Sequence, residues 1–365
     1  MSSPARAEDR KQDRADFLSA AGWSDAEARA LAGDASTRSY ERLTLGARNA
    51  LLMNAPPAAE TAACPPKATP EERRALGYNA MARLAGPNLH AFTAVAGVLR
   101  GAGLSAPEIY AADARRGFAL IEDLGDDLFA RAIPKGADEK TLYSAAIDAL
   151  LALHAARPAA PAGDQYTMLS YDRTALEAEV GLLSEWYWPL RLGGPAPSSL
   201  EAAYYAAWAP VLSGLSEPNA IILRDFHAEN LLWLPGRAGA KRVGIIDFQD
   251  GLLGSRAYDL VSLLEDARRD VSLPLAEAMI ERYVEGARKQ EGFDEEAFRR
   301  DYAILAAQRN AKILGIFARL VKRDNKPRYL DFTPRVEDHF RRDLARPELA
   351  PVRAFIAAHL PDLAS

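Results

Sequence analysis

Three side chains in the C-terminal half carry the strongest chemical signal in the chain. In IILRDFHAENLLWL, residues 221–234, Asp225 and Asn230 stand five positions apart in a polar gap between two apolar runs. Seventeen residues past Asn230, GIIDF ends a further apolar run on Asp247. Mg²⁺ prefers oxygen ligands and takes one or two carboxylates together with phosphate and water. A carboxylate within reach of an alcohol can orient it and accept its proton. Those are the protein's main tasks in phosphoryl transfer, where positioning and charge stabilisation supply most of the catalysis. In this reading Asp225 is the base or hydroxyl-orienting group, and Asn230 and Asp247 hold Mg²⁺. The D-x-x-x-x-N spacing alone recurs by chance in a chain of 365 residues. Its weight comes from the Asp-ending strand and from the order of the elements around it.

Those elements fall into two parts. After a polar start, DFLSAAGW reads as a short helix, and SDAEARALA as another, with Ser24 as N-cap and Glu27 three residues on. STRSYERLTL alternates, LGAR supplies a turn, and NALLMNA closes the hairpin. Its leading edge, residues 33–39, is small and polar, and suits a loop covering the phosphates, with Ser36, Thr37 and backbone N–H groups as contacts. A plain approach to the hairpin would look the same. Residues 58–87 form an Ala- and Pro-rich insertion with a helix opening at Thr69-Pro70-Glu71-Glu72, and its length suits a mobile flap. HAFTAVAGVLRGAG is a helix, and APEIYAAD and GFALIED are strands. From residue 124 onward helical stripes dominate, interrupted by one strand pair, IIL…LLWL with RVGIID. The expected architecture is α+β, with a small β-rich lobe over 1–123 and a larger, mostly helical lobe over 124–365.

At these residues a family resemblance enters. LRDFHAEN and IDFQDG resemble the catalytic loop and metal-binding segment of the protein-kinase-like fold. The short gap between them, and YDL at 258–260, are similar to the aminoglycoside phosphotransferase and choline-kinase branch. GDASTRSYERL, LLMNAPP, GFALIEDLGDD, DFQDGLLGSRAYDLVSLLEDA and RNAKILGIFARL follow in order between about 14 and 360. Together they resemble the bacterial cell-wall-recycling kinases that phosphorylate N-acetylmuramate and N-acetylglucosamine at the anomeric hydroxyl. The resemblance implies a two-lobed fold, ATP as co-substrate, Mg²⁺ as cofactor, and Asp259 as the brace of the catalytic loop. It also implies a hinge at 120–124 whose backbone, around Glu122 and Leu124, meets adenine.

Two departures stand out. Kinases carry a lysine on the third strand, paired with a helix glutamate; here its place is taken by Met53, and HAFTAVAGVLRGAG holds no acid. Another cation should face the phosphates, and Arg38 and Arg42, on one face of the first hairpin strand, are the candidates. The residue two before Asp225 is Leu223 rather than histidine, so the loop needs another brace, His227 or Asp259.

For the acceptor, SEWYWPLR offers Glu185, Trp186 and Trp188, although packing is the commoner use of tryptophan. Gln308, Lys312 and Arg319 share a helix face that would suit an acidic substituent such as a lactyl carboxylate, or simply surface salt bridges. Arg224 and His227, flanking Asp225, are further candidates for substrate contact, while His90 and His154 read as packing or surface residues. Two other functions stay open: phosphorylation of an aminoglycoside or other amine alcohol, and a non-catalytic kinase fold that only binds nucleotide. The net charge of −5 argues against nucleic-acid or anionic-membrane partners. The single cysteine, Cys64, rules out an internal disulfide and a thiolate metal site. No signal peptide or membrane span is expected, so the small-molecule kinase reading goes with a cytoplasmic monomer.

Overall fold

The computed structural model describes residues 4–31, 38–57, 64–84 and 89–364. Its N-terminal part comprises α1 (Pro4–Ala20), β1 (Glu27–Ala30), β2 (Ser39–Leu45), β3 (Arg48–Asn54), α2 (Pro70–Leu76), α3 (Leu89–Gly101), β4 (Ile109–Asp113) and β5 (Phe118–Ile121). The strands form one antiparallel sheet in the order β1-β2-β3-β5-β4. Period-two alternation divides its side chains between two cores. Leu43, Ala50, Leu52, Phe118 and Leu120 meet Phe17, Leu18 and Trp23 at the α1 end, while Met53, Ala119 and Ile121 join the main core with α3.

Two expectations fail at the N-terminus. The charged start is helix from Pro4, and SDAEARALA supplies an edge strand instead of a capped helix. Phe17 stacks on Phe118 at 5.6 Å and Arg10 covers the same ring, so α1 is fixed by docking on the sheet. Glu27–Ala30 pairs in register with residues 41–44 of β2, and this long-range ladder overrides local capping preference.

The remainder comprises α4 (Phe129–Ala132), α5 (Glu139–Ala156), α6 (Arg173–Leu182), a π-turn (Leu183–Tyr187), α7 (Trp188–Leu192), α8 (Ser198–Ser213), β6 (Ala220–Ile222), β7 (Leu231–Trp233), β8 (Val243–Ile245) and β9 (Leu252–Gly254). Then come α9 (Ala257–Leu264), α10 (Leu273–Ala287), α11 (Glu295–Lys322), α12 (Thr333–Leu344), α13 (Ala350–His359) and α14 (Pro361–Ala364). The strands are two separate pairs rather than one. β7 pairs with β8 as expected, but β6 pairs with β9, a three-residue strand that sequence reading missed. α11 runs through the middle of the helical part. At its Gly315 a Cβ would lie 2.3 Å from the Leu182 carbonyl carbon, so only glycine lets α11 approach the bend after α6. No helix of the described residues is long and apolar enough to cross a membrane.

Candidate active site

β6 and β7 bracket the loop that carries Asp225 and Asn230, and β8 ends just before Asp247. Arg224 and Asp247 both have left-handed backbones, with φ of 68° and 56°. Such a conformation costs a non-glycine residue about 1–3 kcal/mol and persists only where its surroundings hold it. At Arg224 the hold is visible. Its N–H donates to Asp259 Oδ1 at 2.8 Å, and its carbonyl accepts from Ser262 Oγ at 3.0 Å. Leu223 N–H donates to Asp259 Oδ2 at 2.7 Å. Asp259 is fully buried, and burial pushes its carboxyl up to about 7 against the pull of those two N–H donors.

Asp225 projects from this clamped turn, and among the described residues its carboxylate accepts no hydrogen bond. Burial alone would raise its pKa, but His227, Lys312, Arg224 and Arg309 together hold it below the usual carboxylate range. Asn230 donates from Nδ2 to the Asp225 carbonyl at 3.0 Å, which turns its Oδ1 the other way. Asp247 is pushed up by burial and by the charge of Asp225. Gln249 donates to its Oδ1 at 2.7 Å, yet 47% of its side chain stays open. One ionised carboxylate, a second destabilised by the first, and an open carboxamide oxygen are a donor set that suits Mg²⁺. Among the described residues no three His, Cys, Asp or Glu side chains gather as a metal cluster. A site here therefore depends on the carboxamide and on oxygens brought by a ligand.

The sheet side of the cleft separates the two arginine candidates. Arg38, 8% exposed, places Nη1 3.7 Å from Asp247 Oδ1. Arg42 turns away from it. Its guanidinium grips Asp123 (Nε–Oδ2, 2.5 Å) and Asp126 (Nη1–Oδ2, 2.8 Å), tying β2 to the segment after β5. Met53 lies opposite Tyr40 in the sheet and is buried. α3, lacking an acid, meets the Asp247 turn through an aromatic stack, Phe92 on Phe248 at 5.0 Å. Ser36 and Thr37 lie outside the described residues.

At the expected hinge, Glu122 N–H donates to the Glu108 carbonyl at 2.8 Å, and its side chain turns to Arg237 at 2.5 Å. Leu124 is 9% exposed, and its N–H makes no hydrogen bond among the described residues. An extended segment directs the C=O of one residue and the N–H two positions later to the same side, an edge that matches the adjacent acceptor and donor of a purine.

The insertion is anchored rather than loose over its described part, 64–84. Thr69 caps α2 in the expected capping box. Arg73, 4% exposed, bonds Asp172 (Nη1–Oδ2, 2.5 Å) and the carbonyls of Ala80 and Met81. Arg83 bonds Asp250 Oδ2 at 2.7 Å, and its carbonyl accepts from Arg224 Nη1 at 3.0 Å. The segment thus walls the catalytic loop on one side.

Behind that loop lies a charge cluster that sequence reading missed. Glu179 of α6, fully buried, pairs with the Arg224 guanidinium and with Lys312 Nζ at 3.0 Å. It also accepts from Tyr171 and from Gln308 Nε2 at 3.1 Å. Burial would raise its pKa, but Lys312 and Arg224 outweigh that and hold it low. A glutamate in the middle of a helix carries no local signal; only the contact of α6 with α11 reveals it. Arg224 and Lys312, expected at the substrate, are therefore occupied by an internal acid. His227 is 6% exposed, with Nε2 3.5 Å from Asn230 Nδ2, a place beneath the loop. Glu185 is exposed on the π-turn and, with Glu177 and Glu201, acts on Tyr205. Trp186 is half-buried, and Trp188 packs on Phe355. Two cavities of about 420 Å³, one against His154 and Arg256 and one against Arg100 and Arg237, contain none of Asp225, Asn230 or Asp247.

A five-stranded sheet followed by a helical body, with Asp, Asn and Asp at the junction, defines a kinase-like phosphotransferase. The chain belongs to the phosphotransferase enzyme family, whose model matches residues 27–300. Its relatives include the N-acetylmuramate/N-acetylglucosamine kinase of Caulobacter vibrioides, 47% identical over 97% of both chains. The protein of the same name from Pseudomonas aeruginosa is 32% identical over 93% of this chain and 91% of that one. Among solved structures, a choline/ethanolamine kinase family protein from Mesorhizobium loti covers 97% of this chain and 98% of that one, at TM-score 0.53 and 14% identity. An ADP-bound aminoglycoside phosphotransferase covers 90% of this chain and 96% of that one, at TM-score 0.53 and 12% identity. The structural likenesses establish the fold.

Proposed function

We propose that the chain is an ATP-dependent sugar kinase that phosphorylates the anomeric hydroxyl of N-acetylmuramate and N-acetylglucosamine, in recycling of cell-wall peptidoglycan. The observation that carries the chemistry is the Asp225 carboxylate, kept ionised by surrounding cations and left without a hydrogen bond among the described residues. Its relatives' full-length identity supports the acceptor.

Asp225 orients the sugar O1–H and takes its proton as O1 attacks the γ-phosphorus. The bond between that phosphorus and the bridging oxygen breaks, and ADP leaves with the electron pair. Asn230 and Asp247 would hold Mg²⁺, which when bound neutralises charge on the phosphates. Arg38 supplies a second positive charge at the phosphates, in the role usually given to a strand lysine. The Glu122 carbonyl and the Leu124 N–H receive adenine. Asp259 keeps the Arg224 turn, and so Asp225, in position, with Glu179 holding the same turn from behind through Arg224. Residues 1–123 serve as the nucleotide lobe and 124–365 as the acceptor lobe. An ATP requirement and the single cysteine favour the cytoplasm.

Amine-alcohol acceptors are the second reading that the fold allows, but the full-length relatives favour the N-acetylated sugars. Turnover of N-acetylmuramate, N-acetylglucosamine, glucose and kanamycin, measured side by side, tests the choice. The two N-acetylated sugars should be the preferred acceptors; no turnover of either, or preference for kanamycin, contradicts the proposal.

A further inference from the structure

Of the two cavities that contain none of the site residues, the one against β6 and β9 has charges left unmatched. Its volume of about 420 Å³ is within the usual range for a small-molecule pocket. Its walls are the end of α5, the residues before α9 and the first turns of α11, with Ile221 of β6 and Leu253 of β9 between them. Phe293 and Phe298 add two aromatic rings to this lining.

Two guanidiniums line the cavity. Arg256, 8% exposed, donates from Nη1 to Gln290 Oε1 at 3.2 Å, and its guanidinium carbon lies 5.6 Å from the centre of the Phe293 ring. Arg157, exposed just past α5, donates from Nη2 to the Glu291 carbonyl. Neither makes an ion pair among the described residues; their polar partners are neutral oxygens. Two acids line the same space, and both already have donors. Asp301 Oδ1 accepts from the Ser216 N–H at 3.0 Å and from its Oγ at 3.1 Å. Asp294 Oδ1 accepts from the Ala297 N–H at 3.0 Å, as the N-cap of α11. His154 adds no charge, because burial and the nearby Arg256 push its pKa down to about 3. The unmet demand is for an anion.

A buried guanidinium whose partners are all neutral has given up water without gaining a counter-ion. Its planar fork takes two oxygens of a carboxylate or phosphate at once. The cavity is too roomy for a bare anion, and its aromatic rings suit an apolar body beside the charge. We propose that this cavity is a second ligand site, separate from the cleft, for a small organic anion whose carboxylate or phosphate sits on Arg256, with Arg157 beside it, and whose apolar body lies against Phe293 and Phe298. None of these four residues belongs to the phosphotransfer site.

The test is calorimetric titration of the full-length protein in Mg²⁺ and saturating AMP-PNP, which fills the phosphate positions of the cleft. Benzoate and phenyl phosphate are the probes, and benzamide is the neutral control of similar shape. At least one of the anions should bind about 10- to 100-fold more tightly than benzamide, the range for hydrogen bonds to a charged group. Which of the two binds more tightly tells a carboxylate ligand from a phosphate ester. Arg256→Gln should remove the preference for the anion. Replacing a buried arginine can itself disturb the fold, so two further variants carry the test. Arg157→Ala should weaken the anion several-fold. Ala297→Phe, whose ring would fill the cavity, should abolish binding while turnover stays at the wild-type level. Anions bound no more tightly than benzamide, or bound as well as by the wild type in Arg157→Ala and Ala297→Phe alike, would overturn the proposal. Binding seen only when AMP-PNP is left out would also overturn it, because the anion would then be occupying the phosphate positions of the cleft.

Discussion

Two charge clusters lie on opposite sides of one turn of backbone, and they are built differently. Behind the turn, Glu179 meets Arg224, Lys312, Gln308 and Tyr171, with the acid fully buried and matched by two cations. In front, Asp225 and Asp247 face a cleft with few hydrogen-bond partners, and the charge of Asp225 raises the cost of charging Asp247. Similar residue types thus serve two purposes. A buried charge with satisfied partners holds a shape, and its removal damages the fold. A partly open charge with an unmet demand is a place where a ligand completes the set. The connection is Arg224, whose side chain belongs to the first cluster and whose backbone aims Asp225 in the second.

That contrast can be broken from either side. Asp225→Asn should lower kcat by about 10²–10⁴, the usual range for a general base, with nucleotide affinity and melting temperature nearly unchanged. A comparable loss of stability would place Asp225 in the structural cluster instead. Glu179→Ala should do the reverse, costing about 3–5 kcal/mol in urea unfolding because two buried cations lose their acid; a stable variant with only its kcat reduced would contradict the division. Arg38→Ala should lower kcat/KM for ATP about 10- to 100-fold through loss of a charge at the phosphates, whereas Arg42→Ala should mainly loosen the contact with Asp123 and Asp126. Equal kinetic effects from the two would remove the distinction drawn from their geometry.

The smallest effect concerns pH. Asp259 has a folded pKa raised to about 7, so the folded protein binds more protons than the unfolded chain between about pH 4 and 7. Its contribution to stability is present below pH 4 and lost as pH rises through 7. The stability difference between the wild type and Asp259→Asn should therefore shift in favour of the wild type on acidification from pH 7 to 4, read from unfolding curves. An unchanged difference would mean that Asp259 is ionised throughout.

What could be read from the chain follows the range of the interactions concerned. Asp225, Asn230 and Asp247 stood out because strand ends and loop spacing place them within a short stretch of sequence. The hairpin of β2 and β3 and the capping box at Thr69 are equally local. Glu179 was invisible because its meaning depends on α11, more than a hundred residues away. The same holds for Arg83, which bonds Asp250, and for β9, whose three residues become a strand only beside β6. Residues 27–30 misled for the converse reason: a convincing local cap lost to pairing with β2. Arg38 and Arg42 read alike in the sequence, four residues apart; in the structure Arg38 lies just before β2, and only the positions of Asp247, Asp123 and Asp126 tell the two apart.

The most direct test of the central claim is the position of the transferred phosphate. Phosphorus NMR after incubation of the protein with ATP, Mg²⁺ and N-acetylmuramate should show a sugar 1-phosphate, its phosphorus coupled to the anomeric proton, forming in the wild type and absent with Asp225→Asn. A phosphate on any other hydroxyl, or the same product formed at an undiminished rate by Asp225→Asn, would contradict the assignment of Asp225 to the anomeric oxygen.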